Sequence, residues 1–187
     1  VRARYVIGAD GALSAVARQE ITGADRVKHV FAYHEIVEAP AAEAAAIYGD
    51  RRCDVYYQGT YSPDFYAWVF PHGNLCSVGT GTFQKGFDMR GAIAELRQAT
   101  GLADVKTIKR EGAPIPLTPL RRWDNGRDVV VAGDAAGIVA PASGEGIFYA
   151  MTGGRRAAEA VELAIRTGSA RALKSARRRF MWEHGQV

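Results

Sequence analysis

Two carboxylates, each beside glycine at the end of an apolar run, are the side chains of this sequence best suited to hold a ligand. Val129-Val130-Val131-Ala132 enters Gly133-Asp134-Ala135-Ala136-Gly137, and Tyr5-Val6-Ile7 enters Gly8-Ala9-Asp10-Gly11. Beyond Gly137 the chain continues through Pro141, two small residues and Gly144-Glu145-Gly146-Ile147 into a helical pattern. There the first backbone N–H groups and about half a positive charge of helix dipole would attract an electron-rich group. A third set is apolar: Tyr66, Trp68 and Phe70, then Pro71, then Gly79 and Gly81. Strand alternation puts the three rings on one face, where they could wall a long apolar groove. Glycines at 79 and 81 remove side chains where another body must approach the backbone. Taken singly each motif has an ordinary explanation, since glycine often just lets a chain turn and aromatic stripes often line a core.

Strands and helices must position these groups. Arg2 to Ile7 is expected to be a strand, followed by a short helix from Ser14, a good N-cap, to Arg18. β-formers from Lys28 to Val37 predict a further strand. Ala-rich Pro40 to Ile47 is a short helix or loop. Cys53 to Gln58, Phe65 to Phe70 and Leu75 to Phe83, separated by Gly- and Pro-containing loops, predict an antiparallel meander. Asp88 can cap a helix through Met89, Ile93, Leu96 and Ala99, with Gly101 placed to end it. Val105 to Glu111 should be another strand. Three prolines in Ala113 to Leu120 are expected to preclude regular structure there. The helix after Gly144 is expected to run to about Arg166, with Ile147, Met151, Gly154, Ala158, Val161 and Ile165 on its apolar face and a Glu162–Arg166 pair.

Composition narrows the class. The 187 residues are 48% hydrophobic and 24% charged, ordinary for a soluble globular protein. The net charge of +4 is largely local, from Arg171, Lys174, Arg177, Arg178 and Arg179. No nucleic-acid motif or aromatic interleaving accompanies it, so no nucleic-acid partner is expected. Cys53 and Cys76 stand alone and the four histidines have no ligand spacing, which predicts reduced thiols, a cytoplasmic setting and no metal. No apolar run approaches the roughly 20 residues of a spanning helix. The abrupt start at Val1, and an end at Phe180 to His184 without a stop signal, suggest an internal piece of a longer protein.

The Asp10-Gly11 and Gly133-Asp134 stretches resemble the paired fingerprints of FAD proteins of the flavoprotein monooxygenase type. Pro141 to Ile147 resembles the geranylgeranyl reductase branch, and so does Tyr66-x-Trp68-x-Phe70-Pro71 with Gly79-x-Gly81. Ser62 to Tyr66, Glu111 to Pro116 and Arg122 to Gly126 are most similar to its chlorophyll and bacteriochlorophyll members. No Gly-x-Gly-x-x-Gly stretch follows a strand, so the ADP-binding Rossmann unit is expected ahead of Val1.

The resemblance implies an α/β (α+β) fold. A partial FAD-binding Rossmann-like domain would hold residues 1–27 (Asp-Gly motif) and 113–168 (Gly-Asp motif and helix). An inserted, mostly antiparallel sheet would form the substrate domain over 28–112, and 169–187 would begin a basic helical region. Asp10, Gly11, Gly133, Asp134, Gly137, Pro141, Gly144, Glu145, Gly146 and Ile147 would contact FAD, and Asp134 would hold the ribityl chain. Tyr66, Trp68, Phe70, Pro71, Gly79 and Gly81 would contact the prenyl chain. The implied activity is NADPH-linked reduction of geranylgeranyl double bonds to a phytyl chain, on the diphosphate or on the esterified pigment. No catalytic residue is assigned; Tyr57, Tyr66 and His72 are candidate proton donors by proximity to the motif, with the flavin or a water as alternatives. The reductase would be cytoplasmic or peripheral on the photosynthetic membrane; alternatives are a reductase of archaeal-type or quinone-linked prenyl lipids, an FAD-dependent aromatic hydroxylase, and a non-catalytic basic module docking on anionic membrane through Leu173, Phe180, Met181, Trp182 and the neighbouring arginines.

Overall fold

A computed structural model describes residues 2–39 and 52–185; the Pro40 to Ile47 segment lies outside the described residues. The chain forms two compact units, one of Val1–His29 with Ile115–Val187 and one of Val30–Pro114.

In the first unit, β1 (Val6–Gly8) and β7 (Val129–Val131) pair in parallel, Val6 opposite Val129 and Gly8 opposite Val131. The first strand begins at Val6, four residues later than the sequence pattern suggested. Helix α1 (Ala15–Glu20) follows β1 and is capped by Ser14, whose hydroxyl accepts the Ala17 N–H at 2.8 Å. A 3-10 turn (Gly133–Ala136) follows β7, and then α3 (Ile147–Thr167). The buried face of α3 is Gly153, Ala157, Ala160 and Ala164. Of the larger apolar stripe expected to face the core, Val161 packs against it, but Ile147 is 78% and Met151 73% exposed. Close approach decides this, because a Cβ at Gly153 would run into Ile138 Cδ1. Only the small-residue face can press on the turn. Among the described residues, the ion pairs within α3 join Arg155 and Arg156 to Glu159, rather than Glu162 to Arg166. Helix α4 (Ser175–His184) packs on α3 through Ala176 and Phe180.

The second unit is a five-stranded sheet in the order β3 (Asp54–Tyr56), β4 (Ala67–His72), β5 (Leu75–Thr82), β2 (His29–Glu38), β6 (Thr107–Pro116). Strand β4 pairs antiparallel with β3 and β5, and β5 with β2. Contrary to expectation, β6 runs through Pro114 to Pro116. As an edge strand it can leave backbone positions unpaired, and a missing proline N–H costs little there. One face of the sheet packs Val37, Val69, Cys76 and Val78 against Ile93 and Leu96 of α2 (Met89–Ala99). Asp88 caps α2 by accepting the Gly91 N–H at 3.0 Å, and Gly101 follows at φ +72°. Burial pushes the Cys76 thiol up to about 11, so it serves as a small core residue.

Glu35, only 8% exposed, ties this face together. It accepts Arg97 Nη1–H at 2.6 Å, Arg110 Nε–H at 2.9 Å and the Tyr33 hydroxyl at 3.2 Å. Arg97 also donates to the carbonyls of Leu102 and Val105, linking α2 to the following loop. Burial works to raise the Glu35 carboxyl, but hydrogen bonds from Arg110 and Arg97 outweigh it and hold the group below its ordinary value. Its stabilising contribution is therefore present above the unfolded-state pKa and lost as pH falls through the lower folded value. Glu35→Ala is expected to cost about 3 kcal/mol at neutral pH, because Arg97 is left buried without its counter-charge. In urea unfolding at neutral and acid pH the variant should also show a shallower loss of stability toward acid than the wild type.

Candidate functional site

Parallel pairing of β1 with β7 brings both glycine-carboxylate turns to the same end of adjacent strands. Ala132 N–H donates to the Gly8 carbonyl at 2.9 Å, carrying the ladder to the point where both chains turn. The carboxyl ends of parallel strands are where open α/β sheets place ligands. A cavity of about 210 Å³ opens there, lined by Ala12, Leu13, Ser14, Arg18, His29 and Asp134 among others.

The two carboxylates differ in their commitments. Asp10 accepts the Ser14 hydroxyl and the N–H groups of Ala15 (2.8 Å) and Val16 (3.2 Å), closing the start of α1. Slight burial opposes ionisation, but these bonds prevail and hold the Asp10 carboxyl below its usual range. Asp10 thus shapes the turn, with Gly11 at φ +83° beside it. Asp134 is half-buried, has no side-chain hydrogen bond among the described residues, and is pushed up by burial alone. A carboxylate in that state favours a ligand able to donate hydrogen bonds to it. On the same cavity wall, His29 Nε2 is buried without a partner among the described residues.

The glycines of the second turn have separate reasons. Gly133 and Gly137 take φ +61° and +76°, and a Cβ at Gly137 would strike the Thr118 carbonyl, so Gly137 seats the incoming 118–120 segment. The loop to α3 is closed by Ala140 N–H to Glu145 O at 2.8 Å and Gly144 N–H to Ala140 O at 2.9 Å. Gly146 precedes α3, and a Cβ there would stand 3.5 Å from Asp134 Oδ1, so the helix start and Asp134 adjoin. Glu145 caps its own helix by accepting the Phe148 N–H at 2.9 Å. Pro141 lines a separate small apolar pocket with Ile138, Tyr149 and His184. Ile147 projects outward at the helix start.

In the sheet unit the rings lie on the face opposite α2. Phe70, Trp68 and Tyr66 follow one another with centroids 6.0 and 5.8 Å apart, and Tyr66 continues to Phe65 at 4.3 Å and Tyr57 at 6.0 Å. All three central rings are half-buried, outside the unit's core cluster. Pro71 is buried and alternates to the other face with Val69. Gly79 and Gly81 make room for the chain's own rings: a Cβ at Gly79 would fall within the Trp68 indole, and one at Gly81 would lie 2.9 Å from Phe65 Cδ1. The approaching body expected from the sequence is therefore aromatic and internal.

A family model described as an FAD binding domain matches residues 1–182. Geranylgeranyl diphosphate reductase of Rhodobacter capsulatus is 55% identical over 184 residues, covering 98% of this chain and 46% of that protein. The chloroplastic geranylgeranyl diphosphate reductase of Oryza sativa subsp. japonica is 37% identical over 184 residues, covering 97% of this chain and 39% of its own length. A solved geranylgeranyl bacteriochlorophyll reductase-like protein from Thermoplasma acidophilum superposes with a TM-score of 0.83 at 22% identity, covering 98% of this chain and 47% of that one. The chain thus spans less than half the length of each.

Proposed function

The chain belongs to the geranylgeranyl reductase family of FAD-binding proteins, and we propose that the full-length protein saturates double bonds of a geranylgeranyl chain, with FAD as cofactor and NADPH as electron donor, toward the phytyl tail of chlorophyll-type pigments. The observation that carries the reading is the unbroken run of rings Phe70, Trp68, Tyr66 and Phe65 on the sheet face away from the core. An apolar chain can lie along such a surface with little polar desolvation.

The cavity residues fit the cofactor. Asp134, otherwise unpartnered among the described residues, would accept hydrogen bonds from the ribityl hydroxyls. Gly146 and the adjoining start of α3 would face a polarised carbonyl or phosphate oxygen, and the turn closed by Asp10 would bound the site. His29 is a further contact that the sequence pattern did not reveal. Bound there, the flavin supplies reducing equivalents as hydride. An isolated alkene is a poor hydride acceptor, so a proton must add to one of its carbons, and the hydride would go to the other carbon, on which positive charge develops. The faces of Trp68, Tyr66 and Phe70 would stabilise that charge and keep water away. Of the three proton donors weighed, Tyr66 lies within the ring series, whereas Tyr57 and His72 are exposed. Burial and then neighbouring Tyr57 push the Tyr66 phenol up, so it stays protonated at working pH.

Among the described residues no helix is long and apolar enough to cross a membrane. Leu173 and Phe180 are core residues at 0% and 3% exposure and offer no membrane contact. Peripheral contact with the membrane holding the substrate would fall instead to the open cleft of Arg121, Arg122, Lys174, Arg177 and Arg178 beside Trp182.

Mass analysis of product from the full-length protein given NADPH tests the reading, with geranylgeranyl diphosphate and the geranylgeranylated pigment as separate substrates. Successive gains of two hydrogens are expected on one of them. Incorporation of oxygen, or no change in either prenyl chain, would sink it.

A further inference from the structure

Trp68 is held by more than packing. Its indole N–H donates to Ser77 Oγ at 3.1 Å, and Ser77 Oγ lies 2.9 Å from His34 Nδ1. On the far side of the ring, His34 Nε2 faces Glu111 Oε2 at 3.5 Å. The series crosses four neighbouring strands, β4, β5, β2 and β6, on the face that carries the rings. Glu111 is held ionised, chiefly by a hydrogen bond from Lys109 at 2.7 Å. An ionised carboxylate only accepts, so the proton facing it belongs on Nε2. In the neutral ring Nδ1 then accepts the Ser77 hydroxyl, leaving the Ser77 oxygen free to accept from the indole. Every donor in the series points one way, from Trp68 through Ser77 and His34 to Glu111.

Serine, histidine and glutamate in a row also suggest a nucleophile. The burial of Ser77 and its bond from the indole argue against that, since its oxygen is turned into the wall rather than toward a ligand. The register supports a holding role. Gly79 stands opposite both Trp68 and His34, and without a side chain of its own it lets the indole lie across β5 toward the histidine.

We propose that Ser77 and His34 are positioning residues that fix the Trp68 indole and thereby set the width of the groove for the prenyl chain; this rests on the reading of the ring series as a prenyl-binding wall. Without Ser77 or His34 the indole can turn about its χ angles, and the groove loses a fixed side.

The test uses the full-length, FAD-loaded protein with Ser77→Ala, His34→Leu and His34→Asn; the Asn side-chain oxygen can still take the Ser77 hydroxyl. With tryptophan labelled with nitrogen-15, the Trp68 indole N–H resonance, assigned by its loss in Trp68→Phe, should move upfield in Ser77→Ala and His34→Leu and return toward wild type in His34→Asn. KM for the prenyl substrate should rise about tenfold in the first two, the scale of one lost hydrogen bond, and recover in the third. FAD content and the rate of flavin reduction by NADPH should stay unchanged. An unmoved resonance in Ser77→Ala would show that packing alone holds the ring and would overturn the proposal. A moved resonance with unchanged KM would overturn its groove-setting part. If the wild type reduces no prenyl chain, the functional reading fails, while the resonance arm still decides whether Ser77 and His34 hold the indole.

Discussion

Gly79→Ala is expected to destabilise the sheet unit by about 3 kcal/mol, as much as deletion of a large core side chain, although it adds one methyl group. The added Cβ would fall within the Trp68 indole and 2.7 Å from His34 Cβ. Real Cβ atoms do not approach so closely, so either the indole leaves its place or β4 and β5 part. Leaving forfeits the bond to Ser77, worth roughly 1 kcal/mol, and the stack on Phe70, worth about 0.5 to 1.5 kcal/mol. Overpacking against His34 supplies the remainder. Coupling is the sharper expectation: in a Trp68→Ala background Gly79→Ala should cost about 2 kcal/mol less than in wild type, because most of the clash is gone. Urea unfolding of the two single variants and the double variant measures this. Strict additivity would mean that Gly79 is needed for some reason other than the indole.

Much of the fold was legible because local signals and tertiary demands agreed. Ser14 and Asp88 cap helices as their types suggest, and the meander turns at Gly59 to Pro63 and at Gly73-Asn74, although β4 runs on through Pro71 and His72. Where the reading failed, a tertiary fact outweighed a local one. Pro114 and Pro116 belong to a strand because β6 is an edge, a property of sheet order that the sequence of β6 does not contain. The exposed stripe Ile147, Met151 and Ile165 has the stronger apolar pattern, yet α3 buries Gly153, Ala157, Ala160 and Ala164. Hydrophobic periodicity favours large side chains, whereas seating a helix on a tight turn demands small ones. Spacing by three and four residues fits both faces, and the need for close approach at Ile138 chooses between them.

In the candidate site, the types of residue were legible and their division of labour was not. Asp10 and Asp134 look alike in sequence, each beside glycine after a strand. Only hydrogen-bond accounting separates them, since Asp10 closes α1 while Asp134 has no partner among the described residues. Glu145 serves its own helix and Gly137 a crossing segment, so neither is needed at a ligand to explain its type. His29 gave no signal because it stands at the edge of β2, remote in sequence from both motifs, and topology alone brings it to the Asp134 cavity. Ser77 and His34 were silent for the same reason. Their meaning depends on cross-strand register, which one strand cannot show.

Asp134→Ala should separate function from stability in one variant. In the full-length protein the dissociation constant for FAD is expected to rise roughly 10- to 150-fold, the equivalent of about 1.5 to 3 kcal/mol for one hydrogen bond to a charged acceptor. The flavin-free protein should change in the opposite sense. Burial raises the Asp134 carboxyl above its ordinary value, so the folded state favours the protonated form relative to the unfolded chain. The stability linked to that group is present below the unfolded-state pKa and lost as pH rises through the higher folded value. At neutral pH Asp134 therefore weighs against the flavin-free fold, and alanine removes that burden. The flavin-free variant should be at least as stable as wild type at neutral pH and should lose the advantage under acid. A residue needed only to shape the turn would behave otherwise: its removal would lower stability in flavin-free and flavin-bound protein alike. Fluorescence titration with FAD, combined with denaturant unfolding of the flavin-free forms, reads both signs. Unchanged flavin affinity would refute the ribityl assignment, and destabilisation of the flavin-free variant at neutral pH would assign Asp134 to the architecture of the turn.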